Sequence, residues 1–335
     1  MRKNCIFLVI SLLIAANYCT GAKAAKSHTS NTVKSLTPDT IKSLVPEAEQ
    51  IVLAGLKNPE PGIRAIAVEV ISESKKTEMM KNIIPLFDDL DPRVRFSVAI
   101  AAGDMKYKES EKKLKQLLKD SDLNVATAGA YALYQFGDEK YLRQIEDAAS
   151  SSNQVVQANA AMLLGKMKNP HSLPILYKLK DSQNASDVVA FNAVEAIAQI
   201  GDEKIYSKIW TMLISVYPDD RYMGIHVMAS FGGSKGANAI LTLLDDNVPE
   251  VRLAAAERLG FLGDTSGQVI ILEFFNSPPD PEKAVSEKRN VLAALAIGQI
   301  GTEPLIGFLP KMLKNESVMV QLAASKSVFM LARVH

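Results

Sequence analysis

Few residues in this chain have the type and position to do chemistry. Two cysteines and four histidines occur among 335 residues. Both cysteines, Cys5 and Cys19, lie within the first twenty residues, so a disulfide, a thiol nucleophile or a cysteine-ligated metal would have to form there. Of the histidines, His171 follows Pro170 in a predicted turn, where we expect it to be solvated. We expect no catalytic residue, no cofactor-binding residue and no metal ligand in the folded chain.

The first 24 residues have the organisation of a secretory signal peptide. A basic pair, an apolar segment at residues 6–16 and small residues before Ala25 follow one another. The apolar segment is shorter than the ~20 residues that span a bilayer. We expect cleavage between Ala24 and Ala25, export to the periplasm or the exterior, and no transmembrane segment afterwards. A lipoprotein signal that uses Cys19 is the alternative, but the bulky Tyr18 before it departs from that pattern.

The charge of the chain argues against nucleic acid as a partner. Lys and Arg number 38 against 37 Asp and Glu, a net charge of +1. Removal of the leader takes away Arg2, Lys3 and Lys23 together with both cysteines, which leaves a slightly acidic protein without thiols. Strong nucleic-acid binding requires a basic surface that neutralises phosphates. The balance therefore favours a protein or peptide partner.

The remainder of the chain repeats with a period near 31 residues. We define a register residue in each repeat as the residue that opens a helix rich in small side chains. Residues four and eight positions further on are small or apolar in every repeat, and they share one helical face. The register residues are Ile63, Val94, Val125, Val156, Val189, Arg221, Val251, Arg289 and Val320.

Helix boundaries recur in the same register. Side chains able to cap a helix stand three residues before it at Asp91, Asp122, Asn153, Ser186, Ser286 and Ser317. Glycines suited to a left-handed closing position stand twelve residues after it at Gly137, Gly201, Gly233, Gly263 and Gly301. Each repeat is therefore predicted to be a first helix, a short turn and a second helix closed by a tight turn.

The array has a predicted beginning and one predicted irregularity. We expect a flexible polar tether at residues 25–37, followed by a single array over residues 38–335 whose leading helix covers residues 38–57. One register spacing is 38 residues and contains three prolines at residues 276–281. These prolines predict a longer turn between the two helices of the eighth repeat.

The repeat resembles a known family. The segments at residues 91–95 (DPRVR) and 248–264 (VPEVRLAAAERLGFLGD) are similar to the short HEAT-like repeat first named for phycobilisome lyases. The resemblance covers about residues 46–335. It implies an all-α fold, a right-handed α-solenoid (armadillo/HEAT-like superhelix) of about nine helix pairs with the second helices on its concave side. Arg221 and Arg289 depart from the apolar register residue.

Two enzyme types are built on similar repeats. Deoxyhypusine hydroxylases hold a di-iron centre with His-Glu pairs, and no histidine of this chain is followed by glutamate. Bilin lyases handle a cytoplasmic chromophore, whereas this chain carries an export signal. The sequence predicts a non-catalytic, exported protein-binding scaffold. The alternative is an enzyme, or an accessory protein that handles a cofactor or chromophore.

A strip of apolar side chains on the second helices is the predicted binding surface. Its members lie two, six or ten residues after the register residue, away from the face of small residues. Such a strip is either core between repeats or an exposed groove that binds a partner. The candidate partner-binding residues are Phe96, Tyr131, Met162, Phe191, Met223, Phe231, Leu253 and Phe261.

Charged side chains beside this strip have predicted roles of two kinds. Arg64, Arg95 and Arg252 recur one residue after the register residue, and we expect them to pair within the array. Scattered charges are predicted to set the register of the partner. They are Glu69, Glu195, Glu257 and Lys326.

Two further expectations concern a histidine and the end of the chain. His226 replaces a small residue, and it is predicted to lie between helices with a backbone partner.

The last helix, residues 318–334, is apolar, and no polar repeat follows it. Because terminal repeats need a polar outer face, we expect a partner or a second copy of the chain to cover this end. The sequence leaves open whether the glycosylation sequons at Asn184 and Asn315 are used.

Overall fold

The computed structural model describes residues 37–334, and the predicted signal peptide lies outside this range, as does the predicted tether up to residue 36. Helices and turns make up the described residues, which contain no β-strand. They form two compact units. Residues 56–215 are the middle unit, and residues 37–55 with 216–334 are the split unit. The α-helices are numbered in chain order.

The middle unit contains five second helices that pack in succession. They are α2 (Pro61–Glu73), α3 (Pro92–Asp104), α5 (Leu123–Gln135), α7 (Gln154–Met167) and α9 (Asp187–Ile200). The first helices are shorter, and all but one begin with a separate 3-10 turn. They are the 3-10 helix Thr77–Asp88, α4 (Glu111–Leu117), α6 (Leu142–Ala149), α8 (Leu173–Lys180) and α10 (Tyr206–Leu213).

The split unit contains four further second helices and the leading helix. The second helices are α11 (Pro218–Phe231), α13 (Pro249–Phe261), α15 (Lys283–Ile300) and α18 (Val318–Val334). The remaining helices are α1 (Thr37–Gly55), α12 (Gly233–Leu241), α14 (Gln268–Asn276), α16 (Glu303–Ile306) and α17 (Leu309–Leu313). The predicted long turn is present between Asn276 and Lys283.

The predicted face of small and apolar residues forms the core of both units. All nine residues four positions after the register residue are buried, from Ala67 to Ala324. All nine residues eight positions after it are buried as well, from Ile71 to Val328. This burial confirms the prediction of stacked helix pairs, because helical spacing puts both positions on one face.

Close approach of the second helices explains why small residues recur. A Cβ atom added to Gly165 of α7 would lie 2.6 Å from the Cα atom of Ala196 in α9. In the split unit a Cβ on Gly298 of α15 would lie 2.6 Å from the Cα atom of Ser327 in α18. Real Cβ atoms do not approach backbone this closely, so each helix pair depends on the missing side chain.

Most second helices are followed by a residue with positive φ, whether that residue is glycine or lysine. All five predicted glycines have positive φ, from 66° at Gly233 to 101° at Gly137. Helix α11 differs, because its closing residue is Gly232, with φ of 76° and ψ of −163°, and Gly233 is already the first residue of α12. Three lysines hold the same repeat position with φ of 57°, 48° and 53°, namely Lys75, Lys106 and Lys168. The turn geometry is thus a property of the stacked repeat, and it imposes a left-handed conformation even on lysine.

Most predicted helix caps are confirmed. The side chains of Asp91, Asp122, Asn153 and Ser186 accept hydrogen bonds from backbone N–H groups of α3, α5, α7 and α9. Ser317 caps α18 in the same way. The prediction for Ser286 was wrong, because α15 already begins at Lys283 and Ser286 therefore lies inside the helix.

The last helix is covered by the chain itself. Helix α1 packs against α18 and also contacts α16 and α17. Its apolar residues recur at helical spacing and are buried at Ile41, Leu44, Ala48 and Val52. The expectation that a partner or a second copy must cover α18 was therefore wrong, because an amphipathic helix from the beginning of the described chain fills that position.

Candidate functional site

Some residues of the predicted strip are buried in the core, and the others are half-buried. Tyr131, Phe191 and Leu253 are buried. The other five members are half-buried, at Phe96, Met162, Met223, Phe231 and Phe261. The strip is thus core at three positions and partly accessible at five. Phe96 and Met162 are the accessible members in the middle unit.

Tyr131 belongs to a buried polar network in the middle unit. Its hydroxyl donates a hydrogen bond to the carboxylate of Asp104. The ammonium of Lys166 lies 2.9 Å from the other oxygen of the same carboxylate. Because two groups on neighbouring helices satisfy Asp104, this network joins α3, α5 and α7.

Exposed apolar side chains mark one edge of the middle unit. Each lies within four residues before the register residue, at the N-terminal end of a second helix. These four side chains, here called the apolar ridge, are Leu90, Leu123, Val155 and Val188, which are 97%, 48%, 63% and 42% exposed. None of these four residues was predicted to be a binding residue. A recurring Leu or Val beside a helix cap, where polar residues are usual, is the signal that could have found them.

The recurring arginines pair within the array, as predicted. The guanidinium of Arg64 forms two 2.8 Å hydrogen bonds with the carboxylate of Asp89. Arg95 makes the same pair with Asp120 one repeat further on. The remaining Nη1 of each arginine donates to a carbonyl of the preceding turn. Each arginine therefore ties two successive turns together, and its role is structural.

This pairing lowers the pKa of the paired aspartates. Burial alone would raise the pKa of Asp89 and Asp120, but the hydrogen bonds from Arg64 and Arg95 lower the pKa of each below its ordinary value. In the split unit Arg221 lowers the pKa of Asp246 in the same way. Arg252 departs from this scheme, since its Nη1 donates a hydrogen bond to the backbone carbonyl of Asp246.

A second group of polar side chains in the split unit has three buried and two half-buried members. This group, here called the polar cluster, comprises Tyr222 and His226 of α11, Glu257 and Arg258 of α13, and Lys288 of α15. The rings of Tyr222 and His226 have centroids 4.9 Å apart. The ammonium of Lys288 lies 4.8 Å from the centroid of the Tyr222 ring. Arg258 Nε lies 2.7 Å from Glu257 Oε2.

The polar cluster has unmet hydrogen-bonding capacity. His226 is 2% exposed, and neither of its ring nitrogens has a hydrogen-bond partner among residues 37–334. The ion pair between Arg258 and Glu257 lacks the geometry of a hydrogen bond, so Arg258 Nε and Glu257 Oε2 are also unsatisfied within that range. The predicted backbone partner of His226 was therefore wrong, because neither ring nitrogen bonds to a backbone group of residues 37–334.

Burial and neighbouring charges shift the pKa values of His226 and Tyr222. Burial lowers the pKa of His226 well below its ordinary value, and the cations Arg258 and Lys288 lower it further. Burial also raises the pKa of the Tyr222 phenol above its ordinary value. At neutral pH both groups are therefore uncharged, and His226 carries one N–H donor and one acceptor nitrogen.

The charges predicted to set the register of a partner are buried instead. Glu69, Glu195, Glu257 and Lys326 are all less than a tenth exposed. The reason is that their position, six residues after the register residue, lies between packed second helices. That prediction was wrong.

Within residues 37–334, no three or more His, Cys, Asp or Glu side chains are grouped so that they could hold a metal ion. In the same part of the chain, no helix is both long enough and apolar enough to cross a membrane.

Solved structures of similar fold include two associated with enzymes. Human deoxyhypusine hydroxylase in complex with glycerol is 16% identical, with 78% of this chain and 99% of that chain covered and a TM-score of 0.39. The complex of CpcE and CpcF of phycocyanin lyase from Nostoc sp. PCC7120 is 14% identical, with 76% and 99% covered and a TM-score of 0.44. This level of likeness says nothing about activity.

Family models match a large part of the chain. A search of curated proteins finds no match. The model for HEAT repeats matches residues 48–133, 80–151 and 142–215, and a model for the single HEAT repeat matches residues 237–266. With these matches added to the stacked helix pairs, the chain belongs to the HEAT-repeat proteins.

Proposed function

We propose that this protein is an exported, non-catalytic scaffold that binds a protein partner. The apolar ridge of the middle unit is the observation that carries the proposal. Four large apolar side chains at the same end of successive second helices are exposed to solvent by between two fifths and nearly their whole surface. Single exposed apolar residues are common, whereas a recurring row of them marks a binding surface.

The spacing of the ridge favours an extended segment of the partner. Packed helices lie ~8–10 Å apart, and Val155 and Val188 hold the same repeat position on successive second helices, so we infer a similar distance between these two side chains. A polyproline II segment has three residues per turn and rises ~3.1 Å per residue, so every third side chain recurs on one face at ~9 Å. We infer that the partner presents an apolar residue at every third position. In the middle unit, the half-buried Phe96 and Met162 of the predicted strip offer additional contact area.

Synthetic peptides test this inference directly. One set carries leucine at every third position, and a second set of equal composition carries it at every second position. We expect the first set to bind more tightly, and the double variant Leu123→Asp/Val155→Asp to weaken that binding at least about tenfold. The readout is peptide affinity by fluorescence anisotropy.

Val269 provides the matched control for this experiment. It is 57% exposed but lies on α14, outside the ridge. Val269→Asp introduces the same charge and is expected to leave peptide affinity unchanged. An equal loss of binding in Val269→Asp, or equal affinity for the two peptide sets, would contradict the proposal.

Export is the second part of the proposal, and the amino-terminal sequence supports it. Mass spectrometry of the protein purified from its native host is expected to give a mature chain that begins at Ala25. A mature chain that begins at a lipid-modified Cys19 would show the lipoprotein alternative instead. An uncleaved chain in the cytoplasm would refute export.

One observation favours the alternative, an enzyme or an accessory protein that handles a cofactor. Buried polar groups without hydrogen-bond partners are rare in proteins, and His226 has two such atoms among residues 37–334. The visible absorbance and metal content of the protein from its native host separate the two functions. A bound pigment or metal would support the alternative, and a colourless, metal-free protein would support the scaffold.

A further inference from the structure

We propose that a row of lysines on the middle unit binds an acidic segment of a partner protein. Residues 106–119 contain six lysines and two glutamates, a net charge of +4, whereas the whole chain carries +1. Four of these lysines recur at spacings of four, three and four residues, which places them on one face of a helix. This row, here called the lysine face, consists of Lys108, Lys112, Lys115 and Lys119.

The structure exposes the whole lysine face to solvent. The row extends over the 3-10 turn Lys108–Ser110, helix α4 and the turn that follows it, and all four lysines are exposed. The opposite side of α4 is buried at Leu114 and Leu117, so packing fixes the rotation of the helix and keeps the lysines outward. At ~1.5 Å per residue, the face is about 17 Å long.

Most of the face lacks acidic partners. Lys115 pairs with Glu111 at 2.7 Å, and Lys108 donates a hydrogen bond to a backbone carbonyl. Lys112 and Lys119 form neither an ion pair nor a hydrogen bond with any of residues 37–334. Three of the four ammonium groups are therefore without a carboxylate in the described chain, and they can pair with carboxylates of another molecule.

The surroundings of the face concentrate its positive charge. The hydrogen bond with Glu111 raises the pKa of Lys115, and the nearby ammonium of Lys140, which is also exposed, opposes this rise. Positive charges gathered at a concave surface attract anions. Such a concavity is present here, as an open hollow of about 600 Å³ lined by Glu111, Lys112, Lys115, Gln116 and Lys119.

An acidic polypeptide segment fits this face better than a membrane does. The face is one row of side chains wide, and carboxylates lie beside it at Glu111 and Asp138. A single chain can follow the lysines and avoid these carboxylates, whereas a lipid surface would cover both. Among the described residues, the exposed large apolar side chains all lie outside residues 106–119, so none of them would insert into lipid from this face.

The lysine face belongs to a first helix, and the inference does not require the apolar ridge. A labelled peptide of eight glutamates, which contains no apolar residue, therefore tests it separately. In ~20 mM salt we expect saturable binding to the intact protein, with a Kd of about 1 mM or below by fluorescence anisotropy. Salt at ~200 mM is expected to weaken binding at least about fivefold, because exposed charges are screened.

Two pairs of exposed lysines supply the variant and its matched control. Lys112→Gln/Lys119→Gln is expected to weaken peptide binding at least about fivefold, since it removes two ammonium groups of the face. Lys204→Gln/Lys208→Gln changes two exposed lysines of the same unit, at and just before α10, and alters the net charge equally. It is expected to leave peptide affinity within about twofold. Both variants should keep the urea midpoint of the parent protein, because all four lysines are exposed.

Three results would overturn the proposal. The first is the absence of saturable peptide binding up to about 5 mM protein in low salt. The second is an equal loss of affinity in the two double variants, which would show that net charge alone is responsible. The third is sedimentation with vesicles of phosphatidylglycerol and phosphatidylcholine that depends on Lys112 and Lys119, without binding of the peptide, which would assign the face to an anionic membrane.

Discussion

In the middle unit the buried carboxylate of Asp104 is held by Tyr131 and Lys166, whereas in the split unit the buried imidazole of His226 has no hydrogen-bond partner among residues 37–334. The two units are built from the same repeat. The register residue is apolar throughout the middle unit, but it is arginine in two of the four repeats of the split unit, at Arg221 and Arg289.

These two arginines lie next to members of the polar cluster in the sequence. Tyr222 directly follows Arg221, and Lys288 directly precedes Arg289. The repeats that depart from the apolar register therefore flank the polar cluster. In the middle unit the polar network around Asp104 joins three neighbouring helices. In the split unit the polar groups beside Arg221 and Arg289 surround a histidine that has no hydrogen-bond partner among residues 37–334.

Substitution of the close-contact glycines tests whether both units depend on the same packing. Gly165→Ala in the middle unit and Gly298→Ala in the split unit each place a Cβ atom 2.6 Å from backbone. We expect each to lower the free energy of unfolding by about 3 kcal/mol. Hydrogen exchange is expected to show lost protection in α7 and α9 for the first variant, and in α15 and α18 for the second.

Gly307 is the control for these variants. An added Cβ would lie 3.8 Å from its nearest neighbour, the carbonyl oxygen of Pro304. Gly307→Ala is expected to change the free energy of unfolding by less than about 0.5 kcal/mol. A loss as large as that of Gly165→Ala would show that alanine itself, and not helix approach, is responsible.

Removal of an arginine tests how much more a carboxylate pair of the middle unit contributes than the carbonyl contact of Arg252 in the split unit. Arg95→Gln leaves Asp120 without its charged partner and is expected to cost about 2 kcal/mol in urea denaturation. Arg252→Gln loses a bond to a carbonyl and is expected to cost about 1 kcal/mol. Equal costs would show that the carboxylate pair contributes nothing beyond the carbonyl contact.

The pH dependence of stability is expected to differ between the units at mildly acidic pH. His226 has a lowered pKa when folded and the ordinary value of 6.5 when unfolded, so below pH 6.5 the unfolded chain takes up a proton that the folded chain refuses. The split unit should lose up to about 1.4 kcal/mol per pH unit as the pH falls. Hydrogen exchange between pH 7 and 5 measures this loss.

His226→Leu removes this titration and supplies the control. The variant is expected to have a stability that varies little between pH 7 and 5. The paired aspartates are not expected to contribute there, because their lowered pKa values keep them ionised until the pH falls below about 3.8. Unchanged pH dependence in His226→Leu would assign the effect to another group.

The smallest expected effect concerns the left-handed closing residue. Lys106 has φ of 48°, a conformation that glycine adopts without strain. Lys106→Gly is expected to raise the free energy of unfolding by up to about 1 kcal/mol. The reverse change at Gly263, which has φ of 84°, should lower it by a similar amount. Urea denaturation measures both, and a loss of stability in Lys106→Gly would contradict the assignment of strain.

Periodicity made much of the fold predictable. Ala67 and Ile71, like their counterparts in the other repeats, are buried because spacings of four and eight fix the inner face of a helix. The sequence could not show that α1 covers α18, since an amphipathic stripe reveals that a helix is buried but not against which neighbour. It also misplaced Glu257 on the surface, because a charge on a repeat face looks solvated until the partner helices are positioned.

The contact between α1 and α18 has a consequence for how the chain is made. A ribosome or an export channel releases the chain from its amino end, so α1 emerges long before its neighbour exists. The middle unit has all of its helices available earlier. We expect the split unit to mature last, through a contact between distant parts of the chain, which slows folding. Until then the apolar stripe of α1 is exposed, and a chaperone that shields it would be most useful during that interval.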